Sequence, residues 1–412
     1  MSSDKQTIDL AVIGGGAAGF FGAINAAALN PKLRIVILEK SPKLLSKVKI
    51  SGGGRCNVTH HCFEATPLSQ HYPRGQKQLK KLFRSFQAID TVAWFEQRGV
   101  KLKAEEDGRM FPSSDDSQTI INCFLKETQK FNIEILLNEG VEVITPSPFN
   151  FTINTRTKKI PAKQVLVAIG GHPQSYAYEF IRQLGHTVTP LIPSLFTFND
   201  TSKRFADLMG IAVNNATVKI AGSAFYERGP VLITHWGLSG PAVIKLSAWA
   251  AEYLHTKQYE FTVLVNWLGD ETEENTRQFL QDCKSTRGKQ KIVGNTLFGL
   301  PARLWEKLVS ESEIPHEKIW GDASNKEVNR LVEQLIRCPV HIKGKTTFKD
   351  EFVTCGGVDL TEIDTETMQS KKFPRLFFAG EVLNIDGETG GFNFQAAWTT
   401  AYIAANFIAL TK

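Results

Sequence analysis

The stretch that most constrains this chain is residues 8–40. Ile8, Leu10, Ala11, Val12 and Ile13 form a short apolar run, the pattern of a strand buried on both faces. Gly14-Gly15-Gly16-Ala17-Ala18-Gly19 follows at once. Residues 20–29 are alanine-rich and read as a helix, halted by Asn30-Pro31. A second β-branched strand then runs from Arg34 to Leu38 and ends at Glu39. A strand followed by G-x-G-x-x-G at Gly14, Gly16 and Gly19, with an acid about twenty residues further on, is the dinucleotide-binding arrangement. Gly14 permits the tight turn, Gly16 lets backbone approach a pyrophosphate, and Gly19 lets helix pack close to sheet. The helix start at Ala17 and Ala18 offers free N–H groups and a positive dipole end. Glu39 can accept hydrogen bonds from a ribose 2′-hydroxyl and would repel the phosphate of NADP, and Lys40 beside it joins the cofactor-site candidates. Alone, the unit leaves FAD and NAD both open.

A chain of 412 residues exceeds one ordinary core, so two or three domains are expected. No apolar run reaches the ~18 residues of a membrane span, and the polar start speaks against a signal peptide. Both point to a cytoplasmic protein without a membrane partner. The six cysteines are scattered and contain no C-x-x-C pair, so neither a disulfide framework nor a metal site is indicated. The net charge of +6 is modest. The run Lys77-Gln78-Leu79-Lys80-Lys81 fits a solvated helix face better than a nucleic-acid patch, so no nucleic-acid partner is expected.

Beyond Lys40 lies Ser51-Gly52-Gly53-Gly54-Arg55-Cys56-Asn57, where three successive glycines cost backbone entropy that a bound phosphate or flavin ring would justify. Residues 79–99 read as one helix stopped by Gly99, and 117–130 as another. Strands at 133–137, 141–144 and 149–153 lead to an apolar run ending in Ala168, Gly170 and Gly171, whose carboxyl end would face the cofactor crevice. From Ser194 to about Asn266 short alternating strands suggest a β-barrel, and 271–337 is helical. The expected organisation is α/β: a Rossmann-like domain in two segments, 1–190 and 346–412, with a barrel at 191–270 and a helical subdomain and return strand at 271–345 between them.

Near the carboxyl end, Leu376-Phe377-Phe378-Ala379-Gly380-Glu381 reads as a buried strand ending in Gly-Glu. Asp386 and the helix start at Gly391, Phe392, Asn393, Phe394 and Gln395 follow. This is the second half of an FAD site: an acid near the ribityl or phosphate region, and a helix dipole at the pyrimidine end of the ring. The pairing favours FAD over NAD. Here the chain resembles the bacterial family of two-dinucleotide-fold flavoproteins that includes aminoacetone oxidase-like and bile-acid reductase-like proteins. The resemblance rests on the motifs at 14–19, 50–57 and 108–112, on Thr234-His235-Trp236-Gly237-Leu238-Ser239-Gly240-Pro241, and on 356–358 and 378–395. It implies that Glu39 binds the adenosine ribose, that Val141 meets the adenine through its backbone, that Ser51 to Asn57 line pyrophosphate and flavin, and that Asn393 to Gln395 line the flavin edge. The chain departs from the family in carrying His60 in place of Asn and Asn384 in place of Asp.

The expected activity is an FAD-dependent oxidoreductase of a small molecule, either an oxidase or a reductase fed by NAD(P)H. With no second glycine motif, NAD(P)H would bind only transiently. The alternative is a flavin protein tied to RNA modification, or a non-catalytic flavin binder. His235, Arg55 and Arg109 are the catalytic candidates: the histidine titrates near neutrality, and the arginines can meet a phosphate or carboxylate. Cys56, beside Arg55, is a candidate for a lowered pKa. A monomer or weak homo-oligomer is expected.

Overall fold

The computed structural model describes residues 7–346 and 353–411, so the beginning of the return segment at Thr347-Phe348 lies outside the described residues. The chain forms two compact units, Met1–Ser194 with Lys349–Lys412, and Leu195–Phe348.

The first unit is built on a parallel sheet. Apart from two short antiparallel strands at one edge, Ile363–Asp364 and Gln369–Ser370, its strands are β1 (Ile8–Ile13), β2 (Ile35–Leu38), β3 (Glu134–Leu136), β4 (Val141–Pro146), β5 (Phe151–Thr155), β6 (Lys159–Val167) and β7 (Leu376–Phe378). Five of them run parallel in the order β7-β6-β1-β2-β3. The remaining two, β4 and β5, form an antiparallel meander that joins the sheet at β6. β1, β2 and the carboxyl end of β6 (Val165–Val167) are almost wholly buried apolar runs, because helices cover both faces of the sheet. Registry sets the position of the site. Ile13 pairs with both Leu38 and Val167, and Val167 pairs with Phe378, so four strands end on one row. Gly14, Glu39, Ala168 and Ala379-Gly380 therefore leave the sheet together, although they lie up to 366 residues apart in the chain.

Two helices lie against this sheet, one opening the unit (Ala17–Leu29) and one closing it (Phe392–Leu410). Both are alanine-rich and apolar nearly all round, as buried helices are. Phe21 of the first meets Trp398 of the second at 5.2 Å between ring centroids. The single helix read at 79–99 is two helices, Gln76–Leu82 and Ala88–Glu96. The apolar spacing runs through both, but a capping box restarts the second: the Gln87 N–H donates to Asp90 at 2.8 Å.

The second unit contains a closed six-stranded antiparallel barrel. Thr197–Asp200, Gly237–Ser239, Tyr226–Thr234, Ala212–Ile220, Glu260–Asn266 and Cys338–Thr346 follow one another round it. The helices Glu273–Thr286, Ala302–Glu311 and Asn325–Ile336 contribute Leu280, Trp305 and Leu331 to the same hydrophobic core as barrel residues Phe198, Val218 and Val263. Barrel and helical segment thus fold around one interior.

A buried polar cluster pins the edge of the first unit. His186 lies between Glu362 (2.9 Å) and Ser370 (3.0 Å), and Glu362 also takes Thr187 and Lys372. Burial alone would raise the Glu362 pKa, but hydrogen bonds from Lys372, Thr187 and His186 outweigh it and hold the carboxyl at about 2. Burial pushes the His186 pKa below its ordinary value. A lowered carboxylate pKa stabilises the fold above its unfolded value of 4.5, and that contribution is lost as pH falls toward 2. Glu362→Gln is expected to melt about 2–6 °C below wild type at pH 7. The gap should close between pH 4.5 and 2, read from thermal melts; a pH-independent gap would rule out the ionic account.

Candidate cofactor and active site

At the carboxyl edge of the sheet a cleft of ≈ 600 Å³ is lined by Gly14, Glu39, Lys40, Val141, Arg156 and Tyr176 among others. Glu39 is aimed by two backbone donors: its carboxylate accepts from the N–H groups of Gly15 and Ser41, each at 2.9 Å. Gly14 sits at φ +114°, and a Cβ there would lie 2.4 Å from the Ala168 carbonyl oxygen, so only glycine allows the turn to touch β6's end. A Cβ on Gly19 would lie 2.0 Å from the Gly14 carbonyl oxygen. Gly16 differs, with no atom within 4 Å of an added Cβ. The N–H groups of Gly16, Ala17 and Ala18 have no partner among the described residues. This is an open, donor-lined cradle of the kind a pyrophosphate occupies.

The carboxyl-terminal segment comes to the same place. A Cβ on Gly380 would lie 2.8 Å from that of Ala18. Glu381 accepts from the Thr354 N–H at 2.9 Å and pairs with Lys47 at 2.7 Å, and Gly171 packs directly against its carboxylate. Gly170 accepts from the Tyr178 hydroxyl at 3.4 Å.

In the glycine loop, Gly52, Gly53 and Gly54 all adopt positive φ. Ser51 is held by its own hydroxyl on the Val48 carbonyl, and the N–H groups of Gly52 and Gly53 have no partner among the described residues. Arg55 pairs with Glu105 at 2.5 Å and lies 4.0 Å from the Phe111 ring centroid. Arg109 pairs with Glu105 and Asp107. Both arginines proposed for anion binding are thus engaged by carboxylates of one segment. Cys56 has the opposite of the thiol chemistry expected beside an arginine: it is fully buried and burial pushes its pKa up to about 12. With its side-chain amide turned to suit its neighbours, Asn57 donates to Thr59 O and accepts from Gly391 N at 3.0 Å each, tying the glycine loop to the approach of the closing helix.

Side chains at that helix start serve mainly to build the turn. Asn393 exchanges hydrogen bonds with both backbone groups of Gly387 at 2.9 Å. Gln395 is wholly buried and takes Thr59 and Thr91, and Phe394 stacks on Trp398. What stays free for a ligand is backbone: the N–H groups of Asn393 and Phe394 have no partner among the described residues. Asp386, fully buried, is gripped by both arms of Arg74. Phe392 stacks on both His60 and His71, whose rings also meet each other, and His71 contacts Glu388 at 3.0 Å. His71, Arg74, Glu388, Arg156 and Tyr176 were not among the sequence candidates. His235 belongs to the other unit, in the exposed turn between two barrel strands, edge-on to Trp236 at 4.4 Å.

A parallel sheet whose carboxyl edge gathers a dinucleotide turn, an aimed glutamate and a second glycine turn from the far end of the chain defines a two-segment Rossmann flavoprotein of the oxidoreductase class. The chain belongs to the HI0933-like family: residues 8–407 match the family described as HI0933-like protein Rossmann domain. It is 29% identical to the ribosomal RNA dihydrouridine synthase of Escherichia coli (strain K12), across 99% of each chain. The protein of the same name from Haemophilus influenzae is also 29% identical, across 96% of each chain. A 3-dehydro-bile acid delta(4,6)-reductase from Clostridium scindens is 26% identical, across 96% of this chain and 97% of its own. Among solved structures, a flavocytochrome c3 fumarate reductase aligns over 98% of this chain and 78% of its own, with a TM-score of 0.51 and 17% identity, a likeness of fold. Among the described residues no helix is long and apolar enough to cross a membrane.

Proposed function

We propose that this protein is an FAD-dependent reductase that saturates the C=C bond of a uracil base in ribosomal RNA. The observation that carries the proposal is the end-to-end likeness to two proteins both named ribosomal RNA dihydrouridine synthase. The bile-acid relative supports the same chemistry, since its name also describes addition of two hydrogens across C=C bonds near a ring carbonyl. This departs from the expectation of no nucleic-acid partner, which rested on a modest net charge and on reading Lys77-Gln78-Leu79-Lys80-Lys81 as a solvated helix face; net charge averages over a surface and does not report a local cluster.

Reduced FAD supplies the hydride for such a reaction. The residues of this chain bind and orient. Glu39 takes the ribose, the Gly16 to Ala18 turn takes the pyrophosphate, and the Asn393 and Phe394 N–H groups favour negative charge at the pyrimidine end of the ring. The carbon beside the carbonyl must then gain a proton. His71, held by Glu388, is the candidate donor. NAD(P)H is the proposed reductant, bound transiently.

A second reading, reduction of a free small-molecule enone, is favoured by the Clostridium relative. One experiment separates the two. The yellow protein is reduced anaerobically and mixed with ribosomal RNA transcribed in vitro, and dihydrouridine is quantified in the digest. Flavin reoxidation matched one-to-one by dihydrouridine is expected. Reoxidation by a steroid enone and none by RNA would transfer the activity to the second reading, and a protein that takes up no FAD would end both.

A further inference from the structure

From Ala65 to Ile89 the chain contains no aspartate or glutamate, yet it holds Arg74, Lys77, Lys80, Lys81 and Arg84. Arg74 is spent on Asp386. The other four are exposed, and none has an ion-pair partner among the described residues. They lie on the helix Gln76–Leu82 and the turn that continues it, at spacings of three, four and seven residues, which puts them on one face. The opposite face, Leu79, Leu82 and Phe83, is buried. A solvated helix face of ordinary composition mixes both signs of charge to limit self-repulsion; this one keeps four like charges within about 10 Å of axis.

The position of this face is as informative as its charge. The helix starts at Gly75, whose added Cβ would lie 2.7 Å from Ile385. The residues just before it, His71, Tyr72 and Arg74, contact Phe392 and Asp386 at the closing helix's approach. The basic face is therefore tied, through one short segment, to the start of the closing helix, where the ring of the cofactor is proposed to lie.

We infer that Lys77, Lys80, Lys81 and Arg84 form the docking face for the phosphate backbone of the RNA substrate, holding the strand beside the site that reduces its base. The inference rests on the RNA reading above. A polyanion with regularly spaced phosphates is the partner this face complements, and its binding is salt-dependent because each contact releases counterions.

The test uses the full-length FAD-loaded protein and in vitro transcribed ribosomal RNA, with filter binding from 50 to 200 mM salt. The fourfold variant Lys77→Gln, Lys80→Gln, Lys81→Gln, Arg84→Gln is expected to lose about 10²- to 10³-fold in affinity near 100 mM salt, and its salt slope should fall by about three. The flavin spectrum and melting temperature should stay at wild-type values, and a variant with Lys77, Lys80 and Lys81 replaced by arginine should bind as wild type. If wild type converts RNA uridine while the fourfold variant keeps its affinity and slope, the docking face is wrong and the activity stands. If wild type neither binds nor converts RNA, both fall. Binding of phosphatidylglycerol vesicles without RNA binding would overturn the inference in favour of an anionic surface.

Discussion

Replacing Gly16 with valine is expected to yield a folded but colourless protein. Gly16 has φ −99° and ψ −169°, an extended conformation open to any residue, and no atom lies within 4 Å of an added Cβ. The substitution therefore leaves the apo fold unstrained, and removing a glycine slightly restricts the unfolded chain. A branched side chain there fills the space above the Ala17 and Ala18 N–H groups, where a pyrophosphate must lie. FAD affinity should fall by about two orders of magnitude or more, roughly the ~3 kcal/mol of displaced charge-assisted hydrogen bonds. Gly19→Ala provides the contrast, because its Cβ meets the Gly14 carbonyl oxygen at 2.0 Å and forces backbone movement. It should cost about 1–3 kcal/mol of stability even without flavin. Flavin absorbance and apo-protein melting temperature, measured on both variants, separate the effects. A Gly16→Val protein with ordinary flavin affinity would remove the pyrophosphate from this turn.

Much of the fold is legible because its signals are local. Short apolar runs each end in glycine or an acid, at 13–14, 38–39, 167–171 and 378–381, and a parallel sheet brings such ends to one edge wherever they occur in the chain. Side-chain roles are less legible, since partners chosen across hundreds of residues leave no local mark. Arg74 reads as one more basic residue until Asp386, 312 positions on, takes both arms of its guanidinium. Gln395 reads as a residue at a ligand edge, but Thr59 and Thr91 turn it into the core. Arg55 beside Cys56 suggests an activated thiol, but the arginine faces Glu105 while the thiol faces the interior. The helix break at 83–87 escapes periodicity for a different reason: its cause is one capping interaction, and apolar spacing is blind to caps.

Arg74→Leu is expected to be strongly destabilising, and its cost should depend on pH. Both partners are removed from water: the Arg74 side chain is 9% exposed and Asp386 0%. Burial raises the Asp386 pKa, and Arg74 is the leading influence that opposes the rise. Without the guanidinium that opposition is gone, and the carboxyl must either sit charged in a dry site or take up a proton. Breaking a buried pair from one side costs about 3–5 kcal/mol. The sign of the pH dependence follows from linkage. A carboxyl whose folded pKa lies above its unfolded value opposes folding once pH rises past that unfolded value, near 3.8, and opposes it more as pH climbs toward the folded pKa. The variant should therefore show its full deficit relative to wild type near pH 7 and a much smaller one near pH 4, in urea melts. Arg74→Leu combined with Asp386→Asn removes the charge itself and should recover most of the loss at pH 7, the outcome that distinguishes an uncompensated charge from a simple packing defect. A deficit that stays constant with pH and survives the double substitution would mean that Arg74 acts through its contacts with the 385–388 turn alone.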